Sequence, residues 1–192
     1  CLALFTRFEE RALTDIRREI GASGVFDAAD IIPADQEAAL EEKLAAFEAR
    51  KGAQIAVLAV TSTAPEEIEQ YSIRVVDAWK LGRKGVDDGA LLIVAVADRR
   101  LRIEVGRGLE GALTDLVSNR IIDETIKPLF RSGDYAGGVA AGVRRIEAVP
   151  VGDVGERLLP ALVGRLGGRA EAHDVEHRKL LGYAEQRLHR FL

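Results

Sequence analysis

The sequence predicts an α/β fold, a layered α/β/α sandwich with a small central mixed sheet, flanked by extra terminal helices. Two apolar runs, residues 54–60 and 90–97, are typical of strands covered on both faces. Residues 101–105 alternate between apolar and polar side chains, which indicates a neighbouring strand with one exposed face. Amphipathic helical segments lie before, between and after these strands, and this order of elements is that of a layered α/β domain.

The helices are predicted from apolar side chains at helical spacing. We expect them over residues 4–20, from Pro33 to about Arg50, from Pro65 to Trp79, and over residues 113–131, 135–148 and 175–192. Pro128 lies inside one of these segments. Because proline lacks a backbone N–H and its ring clashes with the preceding turn, it should break or kink the last turn of that helix.

The chain is long enough for one ordinary domain with extensions. We expect an N-terminal helical extension over residues 1–24, an α/β domain over 25–148 and a C-terminal helical extension over 149–192. The net charge of -4 and the pI of about 5.5 argue against a nucleic-acid partner, since such proteins usually carry a basic patch.

Membrane association is predicted only through features other than a spanning helix. The longest apolar run covers residues 90–97, far short of the roughly 20 residues that a transmembrane helix requires. The single cysteine is Cys1, so no intramolecular disulfide is possible and the cysteine count does not identify the compartment. Cys1 is either a lipid-bearing cysteine exposed by signal-peptidase cleavage or an arbitrary boundary. The first interpretation predicts an exported or lipid-anchored protein of the cell envelope, and the second a soluble protein.

Carboxylates lie at the bends of the predicted sheet. Asp88 precedes the second strand and Glu110 follows the third, so the hairpin between them should bring both to one edge. Asp115 opens the next helix, and Asp27 and Asp30 precede a helix that could reach the same edge. Carboxylates gathered at one place repel each other unless a cation lies between them, and Ca²⁺ and Mg²⁺ prefer oxygen ligands. We therefore predict a Ca²⁺ or Mg²⁺ site formed by Asp88, Glu110, Asp115 and Asp27.

Simpler roles remain open for the same residues. Asp88 could form a turn with Gly89, and Asp115 could be favoured by the dipole of its helix. Asp98 is expected to be only part of the hairpin turn. His173 and His177 are four residues apart in the C-terminal extension, but without a third ligand we favour solvated surface histidines over a zinc site.

The tryptophan and the glycine-rich exit from the third strand each have two interpretations. Trp79 is expected to pack in the core rather than to line a ligand pocket. The segment Gly106-Arg107-Gly108 lacks the lysine and following Ser or Thr of a P-loop, so its glycines should serve a sharp turn or a close backbone approach. Arg107 or Arg102 could still meet an anionic group.

Residues 25–147 resemble the TPM domain family, named from a thylakoid lumen protein and its relatives. The likeness rests on short motifs in the family's order. They are Val25-Phe26-Asp27, Gly52-Ala53-Gln54-Ile55-Ala56-Val57, Trp79-Lys80-Leu81-Gly82, Asp88-Gly89-Ala90-Leu91-Leu92, Ile103-Glu104-Val105-Gly106-Arg107-Gly108-Leu109-Glu110-Gly111 and Pro128-Leu129-Phe130. The chain departs from the family pattern at Arg107, where an aromatic residue is common, and at Asp87, a second acid beside Asp88. It also has a charged helical segment where many bacterial relatives have a membrane helix.

The resemblance implies two functions. The favoured one is a non-enzymatic accessory domain that binds a divalent cation at its acidic edge and acts through a membrane-protein complex or its assembly. The alternative is a metal-assisted acid phosphatase. Ser118, the only Ser, Cys or His within the acidic motifs, has no identifiable base, so a metal-bound water would have to be the nucleophile in that case.

Overall fold

The structure is a computed structural model that describes Leu13 and residues 15–17 and 23–150. Leu13 and residues 15–17 are helical, which agrees with the helix predicted there. The remainder of the N-terminal extension, including Cys1, lies outside the described residues. So do residues 151–192, with the predicted last helix and the three histidines.

The described residues form four strands and a series of helical segments. In chain order these are β1 (Val25–Asp27), α1 (Ala34–Lys51), β2 (Gln54–Val60), α2 (Ile68–Trp79), β3 (Gly89–Ala95), β4 (Arg100–Val105), α3 (Asp115–Ile121), a π-helical turn (Ile122–Ile126), α4 (Lys127–Arg131) and α5 (Tyr135–Glu147). The element order of the predicted domain is confirmed.

The four strands form one mixed sheet in the order β1-β2-β3-β4. The first three are parallel, with Asp27 opposite Ala59 and Gln54 opposite Gly89, and β4 is antiparallel to β3. Parallel neighbours need long crossover connections, which α1 and α2 provide, whereas a short hairpin joins the antiparallel pair. This arrangement leaves the start of β3 and the end of β4 at the same edge of the sheet.

Both faces of the sheet are covered, which explains why β2 and β3 are almost entirely apolar. Ile55, Val57 and Leu92 belong to the apolar core under α1, α3 and α5. The alternating residues Leu58 and Ile93 belong to a second core under α2. The predicted central sheet between helical layers is therefore confirmed.

Two helix boundaries differ from the predicted ones. The helix predicted from Pro65 begins at Ile68, because the preceding residues form a turn in which the Glu66 N–H donates to the Thr63 carbonyl at 3.0 Å. The helix predicted over 113–131 is interrupted upstream of Pro128 by the π-helical turn, where the Lys127 N–H donates to the carbonyl of Ile122. The wider turn places the irregularity before the proline, which has no N–H to donate and whose ring crowds the preceding turn.

Candidate functional site

The candidate site lies at the edge where β3 begins and β4 ends. The loop from Leu81 to Asp88 leads into β3 at this edge, and the segment after β4 lies against this loop. The Gly106 N–H donates to the carbonyl of Gly89 at 2.8 Å, and the Gly108 N–H donates to that of Asp87 at 3.0 Å. The hairpin thus brings the segment that carries Glu110 back against the loop of Asp88, as its sequence pattern predicted.

Asp88 is buried in an ion pair with Arg83. Its side chain has 0% exposure, and both carboxylate oxygens are occupied. Oδ1 accepts the backbone N–H of Arg83 at 2.8 Å, while Oδ2 accepts from Nε at 2.7 Å and lies 2.6 Å from Nη2. The negative charge that we expected a metal to neutralise is therefore neutralised by a guanidinium five residues earlier. The simpler prediction, that Asp88 serves the loop, describes this geometry better.

The loop of Arg83 and Asp88 is fastened to the end of α1 and the start of β2. The Gln54 N–H donates to the Asp88 carbonyl at 3.0 Å, and Gln54 Oε1 accepts the Gly82 N–H at 2.8 Å. Gly52 ends α1 with a φ of 74°. A Cβ at Gly52 would lie 2.6 Å from Nη1 of Arg83, so the guanidinium lies directly against this glycine. Arg83 is held between its carboxylate and the carboxyl end of a helix, where a cation is favoured.

The glycines after β4 allow two backbone segments to touch. A Cβ at Gly106 would lie 2.1 Å from the carbonyl oxygen of Asp87, and one at Gly108 would lie 2.2 Å from that of Val86. No side chain fits at such distances. The predicted close backbone approach is confirmed, and it positions the loop rather than a phosphate.

Glu110 and Asp115 are both exposed. Within the described part of the chain, no hydrogen bond or ion pair engages either carboxylate. Asp115 begins α3, whose N-cap is Thr114, with Oγ1 accepting the Val117 N–H at 3.3 Å. The pKa of Arg102 is raised mainly by its hydrogen bond to Glu104, and Asp115 adds a smaller electrostatic contribution. Arg102 is thus engaged by Glu104 in the same strand, with Nε donating to Oε2 at 2.7 Å.

Asp27 lies at the other end of the sheet, which corrects the prediction that it shares a site with Asp88. It ends β1 opposite Ala59, whereas Asp88 precedes β3 at the end of the sheet where β2 starts. Its carboxylate accepts three backbone N–H groups: Oδ1 from Ala29 at 3.1 Å, and Oδ2 from Ile31 at 2.8 Å and Ile32 at 2.7 Å. Asp27 therefore organises the turn into α1.

The four predicted ligands do not form one set. Among residues 23–150 and the few described before them, no three His, Cys, Asp or Glu side chains lie close enough together to hold one metal ion. The arrangement does not fit a divalent cation bound by all four carboxylates, because Asp88 is paired with Arg83 and Asp27 lies at the opposite end of the sheet. Only Glu110 and Asp115 remain exposed on adjacent segments, and binding of Ca²⁺ or Mg²⁺ stays a prediction.

A cleft of about 580 Å³ opens beside this loop. Its charged lining combines three cations with two carboxylates: Lys80, Lys84, Arg107, Asp77 and Asp87. The cations of the preceding loop were not among the predicted site residues. The signal was present in the printed sequence, since Arg83 and Lys84 stand only five and four residues before Asp88.

Three other predicted residues have clear positions. Trp79 is 2% exposed and its indole N–H donates to the Leu13 carbonyl at 2.8 Å, which confirms the core interpretation. Asp98 lies in the β3–β4 hairpin and accepts hydrogen bonds from Ser62 Oγ and the Thr63 N–H, both at 2.8 Å. Ser118 is buried, and within the described region its hydroxyl has no hydrogen-bond partner.

The fold and its edge loop define a class of small α/β domains with a mixed four-stranded sheet between helical layers. The family model of the TPM domain matches residues 25–149, and the chain belongs to this family. A search of curated proteins finds no match. None of the helices in the described ranges is both long and apolar enough to cross a membrane.

Solved structures agree with this assignment. The N-terminal domain of a protein from P. gingivalis is 28% identical with a TM-score of 0.64, covering 82% of this chain and 93% of that one. The BA42 protein of Bizionia argentinensis is 19% identical with a TM-score of 0.54, covering 63% and 82%. The N-terminal domain of the cg2496 protein of Corynebacterium glutamicum is 16% identical with a TM-score of 0.52, covering 66% and 78%. The last two show likeness of fold alone.

Proposed function

We propose that this TPM-domain protein is a non-catalytic accessory protein that acts by binding within a membrane-protein complex or during its assembly. The observation that carries the proposal is the buried ion pair of Asp88 with Arg83. A carboxylate with no exposure, held by hydrogen bonds from Arg83 on both oxygens, is a structural element, and in this position it is not accessible to a substrate or to a metal-bound water. Ser118, the only candidate nucleophile in the acidic motifs, is buried, and its hydroxyl has no hydrogen-bond partner within the described residues.

The cleft beside the loop is the proposed contact surface for the partner. It presents cations and carboxylates together, and the loop behind it is fixed by backbone contacts of Gly106 and Gly108. A rigid, mixed-charge surface suits recognition of a protein surface with complementary charges, because charge complementarity supplies specificity.

We keep the predicted cation but propose two carboxylate ligands for it instead of four. We assign it to the exposed carboxylates of Glu110 and Asp115, with water and backbone oxygens completing the coordination that Ca²⁺ or Mg²⁺ requires. Asp88 and Asp27 are not part of this site. In this proposal the cation stabilises the segment after β4 and performs no chemistry.

One experiment separates binding from catalysis. Purified protein is assayed on a generic phosphate ester with and without Ca²⁺ and Mg²⁺, and its melting temperature is recorded in parallel for the wild type, Asp88→Asn and the double variant Glu110→Gln/Asp115→Asn. We expect no turnover, and a metal-dependent rise in melting temperature that the double variant loses and Asp88→Asn keeps. Metal-dependent turnover that Asp88→Asn abolishes, while the melting temperature shows that the variant is still folded, would instead establish the phosphatase.

Experiments that identify the partner and the location require protein from its native cells. Cross-linking of membrane fractions should give an adduct that Lys80→Glu/Lys84→Glu reduces and that Arg145→Gln, an exposed α5 residue outside the lining of the cleft, does not. The proposed cell-envelope location depends on Cys1, and mass spectrometry of the native protein would detect a lipid on that residue. A native Cys1 without a lipid would remove this basis for the location.

A further inference from the structure

A second cavity lies at the opposite end of β3 from the Asp88 loop. It has a volume of about 570 Å³ and is bounded by the β3–β4 hairpin, α4 and the first residue of α5. Pockets for small organic ligands typically have volumes of about 300–1,000 Å³. No residue of this cavity belongs to the site described above.

The charged side chains that line this cavity all have the same sign. They are Arg99, Arg100, Lys127 and Arg131, and no carboxylate is among the lining residues. Arg100 is paired with Glu67, and Lys127 lies 2.7 Å from Asp123. Within the described residues no carboxylate pairs with Arg99 or Arg131. In a chain of net charge -4, a cavity whose charged lining residues are all cations, two of them without a paired carboxylate, has a positive field that attracts anions.

The backbone holds Arg99, one of the lining residues of the cavity, in an unusual conformation. Its φ is 53°, and its N–H donates to the Val96 carbonyl at 3.2 Å. This left-handed conformation costs a residue with a Cβ about 1–2 kcal/mol and is normally adopted by glycine or asparagine. The adjacent Asp98 is tied to Ser62 and Thr63, so the turn is fixed from its other side. Unfavourable backbone conformations of this kind concentrate at ligand-binding sites.

The rest of the lining is apolar and aromatic. Val94, Val96 and Leu101 contribute the sheet side, and Phe130 and Tyr135 contribute the helical side. The two aromatic rings lie 4.9 Å apart at an angle of 54°. Such a surface accommodates the apolar body of a ligand, whereas the guanidinium groups bind its carboxylate or phosphate through paired N–H donors.

From this combination we propose that the cavity binds a small organic oxyanion. Its phosphate or carboxylate group lies between Arg99 and Arg131, and its apolar or aromatic body lies on the side formed by Val94, Val96 and Leu101. This site is separate from the partner surface and from the predicted cation site, and it does not depend on the proposed accessory function.

The test is an NMR titration of the full chain, followed through backbone amides, with phenyl phosphate, benzoate, inorganic phosphate and benzyl alcohol. We expect phenyl phosphate or benzoate to shift residues 99–101 and 127–135 with saturation below about 10 mM, the affinity of a small ligand with few contacts. Inorganic phosphate should bind more weakly because it lacks the apolar body, and benzyl alcohol because it lacks the charge. The two charged aromatic probes distinguish a phosphate from a carboxylate ligand.

Two variants and a control complete the test. Arg99→Gly removes the cation and suits a φ of 53°, so the fold should be retained, and Arg131→Gln changes an exposed position. Each should weaken binding about tenfold, the effect of losing one charge-assisted hydrogen bond. Arg145→Gln, an exposed arginine away from the cavity, should bind as the wild type does. Affinity for inorganic phosphate equal to that of the better aromatic probe, unchanged binding in both variants, or saturating shifts elsewhere would overturn the proposal, as would no shift with either aromatic anion at about 10 mM.

Discussion

Arg83 and Asp88 form an ion pair in which the carboxylate has no exposure while the guanidinium side chain is 42% exposed. The pair closes the loop between α2 and β3, since the Arg83 backbone N–H and side chain contact the same carboxylate. The arginine faces solvent on one side and lies against Gly52 on the other. The acidic residue for which a metal was predicted thus has its counter-ion within its own loop.

Replacing Arg83 should therefore destabilise the fold. Arg83→Met leaves a buried carboxylate without its partner, and breaking a buried pair in this way costs about 3–5 kcal/mol. We expect about 3 kcal/mol, because the half-exposed arginine leaves room for water to reach the site. The measurement is the free energy of unfolding by urea at pH 7.

A double-mutant cycle isolates the pair itself. Arg83→Met/Asp88→Asn should lose less than the sum of the two single losses, with a coupling energy of about 0.5–3 kcal/mol. Lys84→Met, a change at an exposed position in the same loop, should stay within about 0.5 kcal/mol of the wild type. Additive losses would contradict the structural role assigned to the pair.

The contact of Gly108 with Val86 makes a second prediction. In Gly108→Ala the new methyl would lie 2.2 Å from a backbone oxygen, so the two segments must separate. The cost of such overpacking is about 1–3 kcal/mol. Gly106→Ala should behave similarly, because its Cβ would lie 2.1 Å from the Asp87 carbonyl oxygen. Thermal unfolding followed by circular dichroism measures both losses.

Gly111 provides a matched control three residues later. A Cβ there meets nothing within 4 Å, and its φ is not in the left-handed region. Gly111→Ala should be neutral or stabilise the protein by about 0.4–1 kcal/mol through the unfolded chain. If Gly108→Ala were as stable as Gly111→Ala, the close approach would be disproved.

The fold was predictable because the information is local. The apolar runs of β2 and β3 and the alternation in β4 each indicate a strand, and the short connection between β3 and β4 indicates a hairpin. The interruption near Pro128 was also predictable, although its form was not. A π-helical turn depends on how the helix packs on the sheet, and the sequence pattern of the helix alone does not contain that information.

The site was less predictable because it depends on which groups pair. The hairpin pattern correctly placed the Glu110 segment near Asp88. It could not show that Arg83 turns back onto Asp88, since this requires a backbone turn in which the Asp87 N–H donates to the Arg83 carbonyl at 2.9 Å. For Asp27 the prediction was wrong about the end of the sheet at which the residue lies. The parallel order of β1 and β3 places the end of one strand far from the start of the other, and strand order is a tertiary property.

The hydrogen bonds of Asp98 predict a pH dependence. The pKa of Asp98 is lowered chiefly by the Thr63 N–H and next by the Ser62 hydroxyl. A carboxyl group with a lowered pKa in the folded state stabilises the protein above its unfolded pKa, about 3.9, and loses that contribution as the pH falls through the folded value. Asp98→Asn should remove this part of the acid sensitivity.

Carbon-detected NMR titration of the Asp98 carboxyl gives the direct measurement, and urea unfolding at pH 7 and pH 3 gives the linked change in stability. The wild type should lose more stability than Asp98→Asn over this interval, because only the wild type has the ionised acceptor to lose. An Asp98 that titrates at its ordinary pKa in the folded protein would refute the assignment.

Variants of Asp27 test whether this residue has a structural role or a role in cation binding. Asp27→Ala leaves the N–H groups of Ala29, Ile31 and Ile32 without their shared acceptor, and unsatisfied groups of this kind cost about 1–3 kcal/mol. We expect a lower free energy of unfolding for Asp27→Ala, whereas Asp30→Asn, at an exposed position with a φ of 53°, should change little because asparagine tolerates that conformation. The Ca²⁺-dependent shift in melting temperature should be the same in the wild type and both variants, since Asp27 and Asp30 lie at the far end of the sheet from Glu110. A smaller shift in Asp27→Ala alone would place the cation at the carboxyl end of β1, and the assignment to Glu110 and Asp115 would then be wrong.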